Sequence, residues 1–273
     1  MTNDSDKSLF NQYSDQFLRG MSKRMRDSCS SSELKEFFQE RFAFFREAIR
    51  RNGMVRVRKY KIPRVSLTAK NQSSSVVVEI VSPDAPFIVV TVEALMRELD
   101  LKIITKLHPI IGVKLTEERE LEKVFLPQQK LEKYDHLYLE VETEAENETL
   151  KHFETMIAGH MLAIQLVRNH HQNMLRTLES MTEMIQTITV ISSPTKNEWS
   201  KLCGWLQHDN YSVMGYIKFS LKDSDSSELI NKIDDSEMGI ISPLYIEKTT
   251  SNLLNVLRTH LWKRLHSEFP FSL

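Results

Sequence analysis

Residues 75–115 read SVVVEIVSPDAPFIVVTVEALMRELDLKIITKLHPIIGVKL, and this stretch decides the fold. Val76–Val81 is a nearly continuous β-branched run with Glu79 as its only charge, which is the composition of a central strand. The corner Ser82-Pro83-Asp84-Ala85-Pro86 then turns the chain. Pro86 is expected near the first helical position, where a missing amide costs nothing. Ile88, Val92, Leu95 and Leu99 recur at helical spacing and predict one apolar stripe. Leu101–Leu107 alternates, with Ile103, Thr105 and Leu107 facing one way and Lys102, Ile104 and Lys106 the other. Pro109 breaks that ladder before Ile110–Leu115 resumes it. A strand, a corner, a helix and two more strands in so short a span open a small α/β sandwich.

Upstream, residues 8–52 read as helical, with Leu34, Phe37, Phe38, Phe42, Phe45 and Ile49 on one buried face. Ser31 or Ser32 is placed to cap it. Asn52-Gly53 makes a turn into Met54–Tyr60, a strand in which Val55 and Val57 alternate with Arg56 and Arg58, and Pro63 ends it. Downstream, His136–Thr143 alternates most cleanly, with Leu137, Leu139 and Val141 inward and Tyr138, Glu140 and Glu142 outward.

From Ala145 to about Gln186 an apolar heptad repeat runs through Leu150, Ile157, Ile164, His171, Leu178 and Ile185, with Phe153, His160, Val167, Met174, Met181 and Ile188 beside it. It predicts one long helix of about 60 Å. Its stripe must be covered either by the chain's own core or by a partner. Thr195 and Glu198 have capping-box spacing ahead of Trp199, Leu202 and Leu206. Tyr211–Leu221 alternates as a strand, Asp223–Glu237 reads as a polar loop, and Thr250 or Ser251 starts a final amphipathic helix through Leu254, Leu257, Leu261 and Leu265. The expected organisation is a helical lead-in with one strand over 1–70, an α/β domain over 71–145, the long helix over 146–192 and a partial second α/β unit over 193–273.

Composition excludes several function classes. The 273 residues are 41% hydrophobic and 27% charged with a net charge of −1, as in an ordinary soluble globular protein. Such a balance argues against wholesale binding to nucleic acid or a membrane surface, which call for excess positive charge. No secretory signal opens the chain, and no apolar run is long enough to span a bilayer. Cys29 and Cys203 lie far apart, and reduced thiols in the cytoplasm are expected. The seven glycines are scattered, so neither a dinucleotide-binding turn nor a phosphate-cradling loop can form. No cofactor is expected.

The order of motifs resembles a known family. A helix, Val55-Arg-Val-Arg-Lys-Tyr60, Val77-Val-Glu-Ile-Val81, Asp84-Ala-Pro-Phe87, Leu107-His108-Pro109 and His136-Leu-Tyr-Leu-Glu-Val141 follow one another as in the amino-terminal region of the large NAD-dependent glutamate dehydrogenases. Trp205-Leu206 through Gly215-Tyr216 resembles a further segment of that family, also placed after a long helix. The resemblance covers roughly residues 8–221. It implies an α+β fold in which Ser75–Thr143 is an ACT-like domain, a ferredoxin-like β-α-β-β-α-β sandwich. ACT domains bind amino acids or related small molecules, or pair side by side, so the resemblance implies a non-catalytic regulatory or oligomerisation module. The implied partners are a second copy or a dehydrogenase subunit. The family's glutamate-binding lysines and nucleotide domain have no counterpart in this sequence, so dehydrogenase activity is not carried over. The alternatives are a detached part of a glutamate dehydrogenase with catalysis on another chain, or a truncated remnant.

By the same resemblance, Asp84, Pro86, Phe87 and His108 are the candidate ligand-binding residues. Many amino-acid-binding ACT domains carry glycine at this corner, whereas Pro86-Phe87 fills it here. The competing reading has Asp84 capping the helix, Phe87 in the core and His108 hydrogen-bonded at a strand kink. Ile157, His160, Ile164, His171 and Met174 form the candidate association seam, in which two histidines interrupt an apolar repeat and would make association pH-sensitive. His170 and His171 point about 100° apart on a helix. His160 and His171 lie three turns apart, so no metal site is expected. Arg46, Arg50, Arg51, Arg56, Arg58, Lys59, Lys61 and Arg64 form a basic cluster, read either as an anion-binding surface or as a solvated edge guarded by charge.

Overall fold

In the computed structural model, the described residues are 4–59, 75–128, 130–143, 145–208, 212–221, 230–233 and 235–243. The chain divides into two compact units, Met1–Met161 and Leu162–Leu273. Among the described residues no helix is long and apolar enough to cross a membrane.

The predicted single helical lead-in is three helices: α1 (Asp4–Gly20), α2 (Lys23–Asp27) and α3 (Ser31–Arg50). The break follows from Ser22 and Ser30, whose side chains take over the free amides of a new first turn. Ser30, rather than Ser31 or Ser32, is the cap of α3, and Glu33 closes a capping box with it. The turn at Asn52-Gly53 has positive φ at both residues and leads into β1 (Met54–Lys59). The predicted strand end at Pro63 lies outside the described residues.

β2 (Ser75–Pro83) is buried along its whole length, and β6 (Glu132–Glu142) nearly so. Between them run α4 (Ile88–Glu98), β3 (Lys102–Leu107), β4 (Ile110–Leu115) and β5 (Leu121–Phe125). The sheet order is β1-β2-β6-β4-β5 with β3 also on β6, and every pairing is antiparallel. β3 and β4 lie end to end along β6, parted at His108-Pro109 as the proline predicts. β5 was not legible beforehand, because only Leu121 and Val124 of its five residues are buried. The run β2, α4, β3, β6 and the following helix keeps ferredoxin-like adjacency. The outer place beside β2 is taken by β1 from upstream of it.

Both faces of this sheet are covered, which corrects one expectation. Val77, Glu79 and Val81 share a face with Tyr134, His136, Tyr138 and Glu140, by the pairing of β2 with β6. Tyr138 and Glu140 were expected to face outward, yet they are 0% and 1% exposed. The cause is α1 and α3, whose Leu9, Tyr13, Phe17, Phe37, Phe45 and Ile49 form one apolar cluster with that face. The opposite face, carrying Val76 and Val141, shares an apolar wall with Leu150, Phe153 and Met156 of α5 (Asn147–Thr187).

The second unit holds the remainder of α5, α6 (Ser193–Gln207) and two short antiparallel pairs. These are β7 (Gly215–Tyr216) with β10 (Met238–Gly239), and β8 (Phe219–Leu221) with β9 (Ile230–Lys232). The cap of α6 is Ser192 rather than Thr195, since Pro194 already sits in the first turn. The continuous strand predicted over Tyr211–Leu221 is two short pieces in the part described. The predicted Asp223–Glu237 loop contains β9. A Cβ at Gly239, where φ is +64°, would run into the Met214 carbonyl, so this turn requires glycine. The predicted helix through Leu254 and Leu265 lies outside the described residues.

Candidate functional site

The corner after β2 is held by groups from β6. The Asp84 amide donates to the Lys133 carbonyl at 2.8 Å, and the Lys133 ammonium meets Asp84 Oδ2 at 3.1 Å. The Ala85 amide donates to Asp135 Oδ2 at 3.3 Å, while Asp135 Oδ1 lies 2.5 Å from His108 Nε2. Asp135 is 2% exposed and therefore ties the Asp84–Phe87 corner to the His108-Pro109 step. Of the four residues singled out from sequence, His108 meets this aspartate directly and Asp84 is its neighbour through Ala85 and Lys133, while the aspartate itself was not singled out. Its signal was present: β6 alternates from Tyr134 to Glu142, and Asp135 falls on the face shared with Leu137 and Leu139.

Asp84 does not cap α4. Its carboxylate is engaged by Lys133, and the N-cap position belongs to Phe87, which has φ 74° and provides no side-chain acceptor. Phe87 is 57% exposed instead of packing in the core, and Pro86 precedes the helix by two residues. A left-handed phenylalanine is uncommon, because its Cβ crowds the backbone there. The result is an α4 whose first-turn amides, Ile88 to Val90, have no side-chain cap, flanked by the exposed apolar groups of Phe87 and Val90. Anions are favoured at such an end.

A second cluster lies beneath α1 and α3. Glu79 is 0% exposed and receives Arg41 Nε at 3.0 Å and Arg56 Nη2 at 2.5 Å. Arg58 reaches the same carboxylate at 3.6 Å and also pairs with Glu40. His136, fully buried, places Nε2 at 3.5 Å from Glu79 Oε1 and Nδ1 at 2.9 Å from the Tyr13 hydroxyl. Burial alone would raise the Glu79 carboxyl, but the Arg41 guanidinium overcomes it, with help from His136 and Arg56, and holds the group far below the usual range. Burial pushes the His136 imidazole below its ordinary value and the Tyr13 hydroxyl above its own. Beside them, Tyr138 donates to Glu140 at 2.9 Å, and Thr105 donates to the same carboxylate at 3.2 Å.

This cluster resolves much of the basic run. Arg46 pairs with Asp6, Arg50 with Glu120, Arg51 with Glu47, and Arg56 and Arg58 turn inward to Glu79. Lys61 and Arg64 lie outside the described residues. Arg56 and Arg58 stand opposite Glu79 and Val77 in the β1–β2 register. Alternating arginines on one strand beside a lone glutamate on the next were the available sequence signal. The outer edge of β1 is also occupied, since the Val57 amide donates to Glu154 Oε2 at 2.8 Å.

Along α5, Ile157 of the first unit is fully buried and His160 half-buried. In the second unit Ile164 and Met174 are buried and His171 half-buried, while His170 Nδ1 accepts the Gly239 amide at 2.8 Å. Among the described residues no group of histidine, cysteine, aspartate or glutamate has the arrangement of a metal site.

A family model described as the glutamate dehydrogenase ACT1 domain matches residues 13–157. No curated protein matches the chain. The match begins within α1, takes in the whole six-stranded sheet and ends in the first turns of α5, so it includes both clusters described above. It is a match to an ACT1 domain, not to a catalytic domain. On that match, the chain belongs to the glutamate dehydrogenase ACT1-domain family.

Proposed function

We propose that the chain is a non-catalytic regulatory module. In this reading it acts with a glutamate dehydrogenase catalytic part on another chain or with a second copy of itself, and it senses an amino acid at the Asp84–Phe87 corner. The observation that carries the reading is the ACT1 match over residues 13–157, which spans the entire sheet. The ligand's carboxylate meets the uncapped first turn of α4, and its side chain lies against Phe87 and Val90. His108 and Asp135 hold the corner in place behind it. Pro86 contributes no amide, so fewer donors face the ligand than at a glycine corner. Assembly uses the α5 stripe at its half-buried His160 and His171, since Ile157, Ile164 and Met174 are already buried within the chain.

The expected result of a thermal-shift series with single L-amino acids is a rise in Tm for one chemical class. A ligand at about a hundred times its Kd adds about 2.7 kcal/mol to the folded state. Phe87→Asp places a side-chain acceptor and a negative charge where the ligand's carboxylate would sit, and aspartate tolerates the left-handed backbone better than phenylalanine. That variant should fold and lose the shift. An equal shift in Phe87→Asp, or no shift with any amino acid in wild type, contradicts the sensing site.

A further inference from the structure

The imidazole of His136 sits where the amino-terminal helices meet the sheet, and its two nitrogens face different elements. Nδ1 is 2.9 Å from the Tyr13 hydroxyl of α1, and Nε2 is 3.5 Å from Glu79 Oε1 of β2 with no hydrogen-bond partner of its own. Tyr13 and Phe17 from α1 and Phe44 and Phe45 from α3 enclose the ring, Phe45 stacking on it with its centroid 5.8 Å away. The charged groups around this site are Arg41 and Glu40 of α3, Arg56 and Arg58 of β1, Glu79 of β2 and Glu140 of β6. Three arginines thus stand near three carboxylates, so a proton on His136 adds a positive charge to a balanced group of which Arg41, Glu79 and Glu140 are buried.

The neighbours also set the tautomer. The Glu79 carboxylate favours the ring proton on Nε2, which leaves Nδ1 to accept from Tyr13. Burial first and the Glu79 charge second keep the Tyr13 hydroxyl protonated, so it is the donor. Among the described residues Tyr13 Oη has no other hydrogen-bond partner, and Tyr13 is 0% exposed.

We propose that His136 is an acid-sensitive latch holding α1 on the sheet. A proton taken from solvent onto Nδ1 turns the acceptor into a donor. The Tyr13 hydroxyl proton is then left without an acceptor inside an aromatic cage, and the buried imidazolium has beside it Arg41, Arg56 and a Glu79 carboxylate already paired with both. The state that relieves both is one in which α1 has lifted and the imidazolium is hydrated. The sign follows from linkage. The closed state disfavours the charged imidazole, so the latch holds above the ordinary histidine value of about 6.5 and weakens as pH falls below it. Lifting α1 bares His136 and the Phe37, Phe42 and Phe45 rings that Tyr13 and Phe17 touch, giving the fold two states that differ in the surface offered to a partner.

Hydrogen exchange of the whole chain at about pH 7.5 and about pH 5.5, corrected for intrinsic rates, tests this on either side of that value. Protection over Leu9–Phe17 should fall about tenfold at the lower pH, while α4, whose C-cap Leu99 lies with Val76 and Val141 on the opposite face, keeps most of its protection. His136→Gln supplies an amide oxygen for Tyr13 and does not titrate, so its α1 protection should be the same at both values. The proposal is overturned if wild-type α1 keeps its protection, if His136→Gln shows the same fall, or if α1 and α4 open together. Should His136→Gln not fold, the wild-type imidazole can be titrated by NMR. Protonation that coincides with α1 exchange supports the latch, and protonation with α1 still protected overturns it.

Discussion

Glu79→Gln is expected to destabilise the first unit by about 3–5 kcal/mol, because it leaves buried arginine charge without its carboxylate. Arg41 is 1% exposed and lies over the rings of Phe37 and Tyr138 at 4.6 and 4.9 Å, so it has little room to swing into water. Among its other contacts, Glu40 at 2.8 Å is already shared with Arg58, and the Phe37 carbonyl at 3.3 Å carries no charge. Urea unfolding measures the effect as a drop in midpoint with unchanged slope. An Arg41→Met/Glu79→Leu double variant should recover a large part of the loss, since removing both charges also removes their desolvation cost. The acid limb of the stability curve carries the same information. The folded state holds the Glu79 carboxyl far below its unfolded value of about 4.3, so its contribution is present above that value. It is lost only as pH falls on toward the folded value, after ordinary carboxyls have been protonated. A loss under 1 kcal/mol for Glu79→Gln, judged against the magnitude above, would mean that the arginines find other partners.

Phe17→Ala is expected to cost about 3–5 kcal/mol, the range for emptying an aromatic from a packed core. Phe17 is 0% exposed, with ring centroids at 4.9 Å from His136, 5.2 Å from Tyr13 and 6.2 and 6.3 Å from Phe38 and Phe37. It therefore joins α1, α3 and β6 at one point, and its removal acts on all three. Met181→Ala, at a 38% exposed position of α5, is the control and should stay within about 0.5 kcal/mol. Against a total stability of about 5–15 kcal/mol, the Phe17 loss would be visible as a large fall in Tm. A loss near that of Met181→Ala would mean that α1 decorates the sheet rather than completing its core.

The central part of the fold was legible because its signals are local. The β-branched run at Val76–Val81, the stripe Ile88–Val92–Leu95 and the break at Pro109 each depend on near neighbours in sequence, and each appears where the pattern puts it. What was missed depends on distant pairs. Tyr138 and Glu140 alternate with apolar residues as solvent-facing groups would, and only the arrival of α1 and α3 makes their side an interior one. The same holds for His136, whose partners Tyr13 and Glu79 lie far from it in sequence. Phe87 failed for a different reason. A left-handed N-cap on a non-glycine residue runs against local preference, and Asp84, the better capping residue by type, is drawn away by Lys133. Asp84, Pro86, Phe87 and His108 could all be named from chain order, but the link between their corner and His108 through Asp135 required the β6 register.

The fold and the family agree on a module built around one antiparallel sheet covered on both faces, with the Asp84–Phe87 corner at one end of β2 and a histidine under its helical cover. Its proposed role is to influence glutamate oxidation without performing it. The most direct measurement is NAD reduction with glutamate by the purified chain alone and by a glutamate dehydrogenase from the same source with the chain added. No turnover by the chain alone is expected, with a changed kcat or KM for the dehydrogenase in its presence. Turnover by the chain alone, or a dehydrogenase whose kinetics are the same with and without it, would contradict the account.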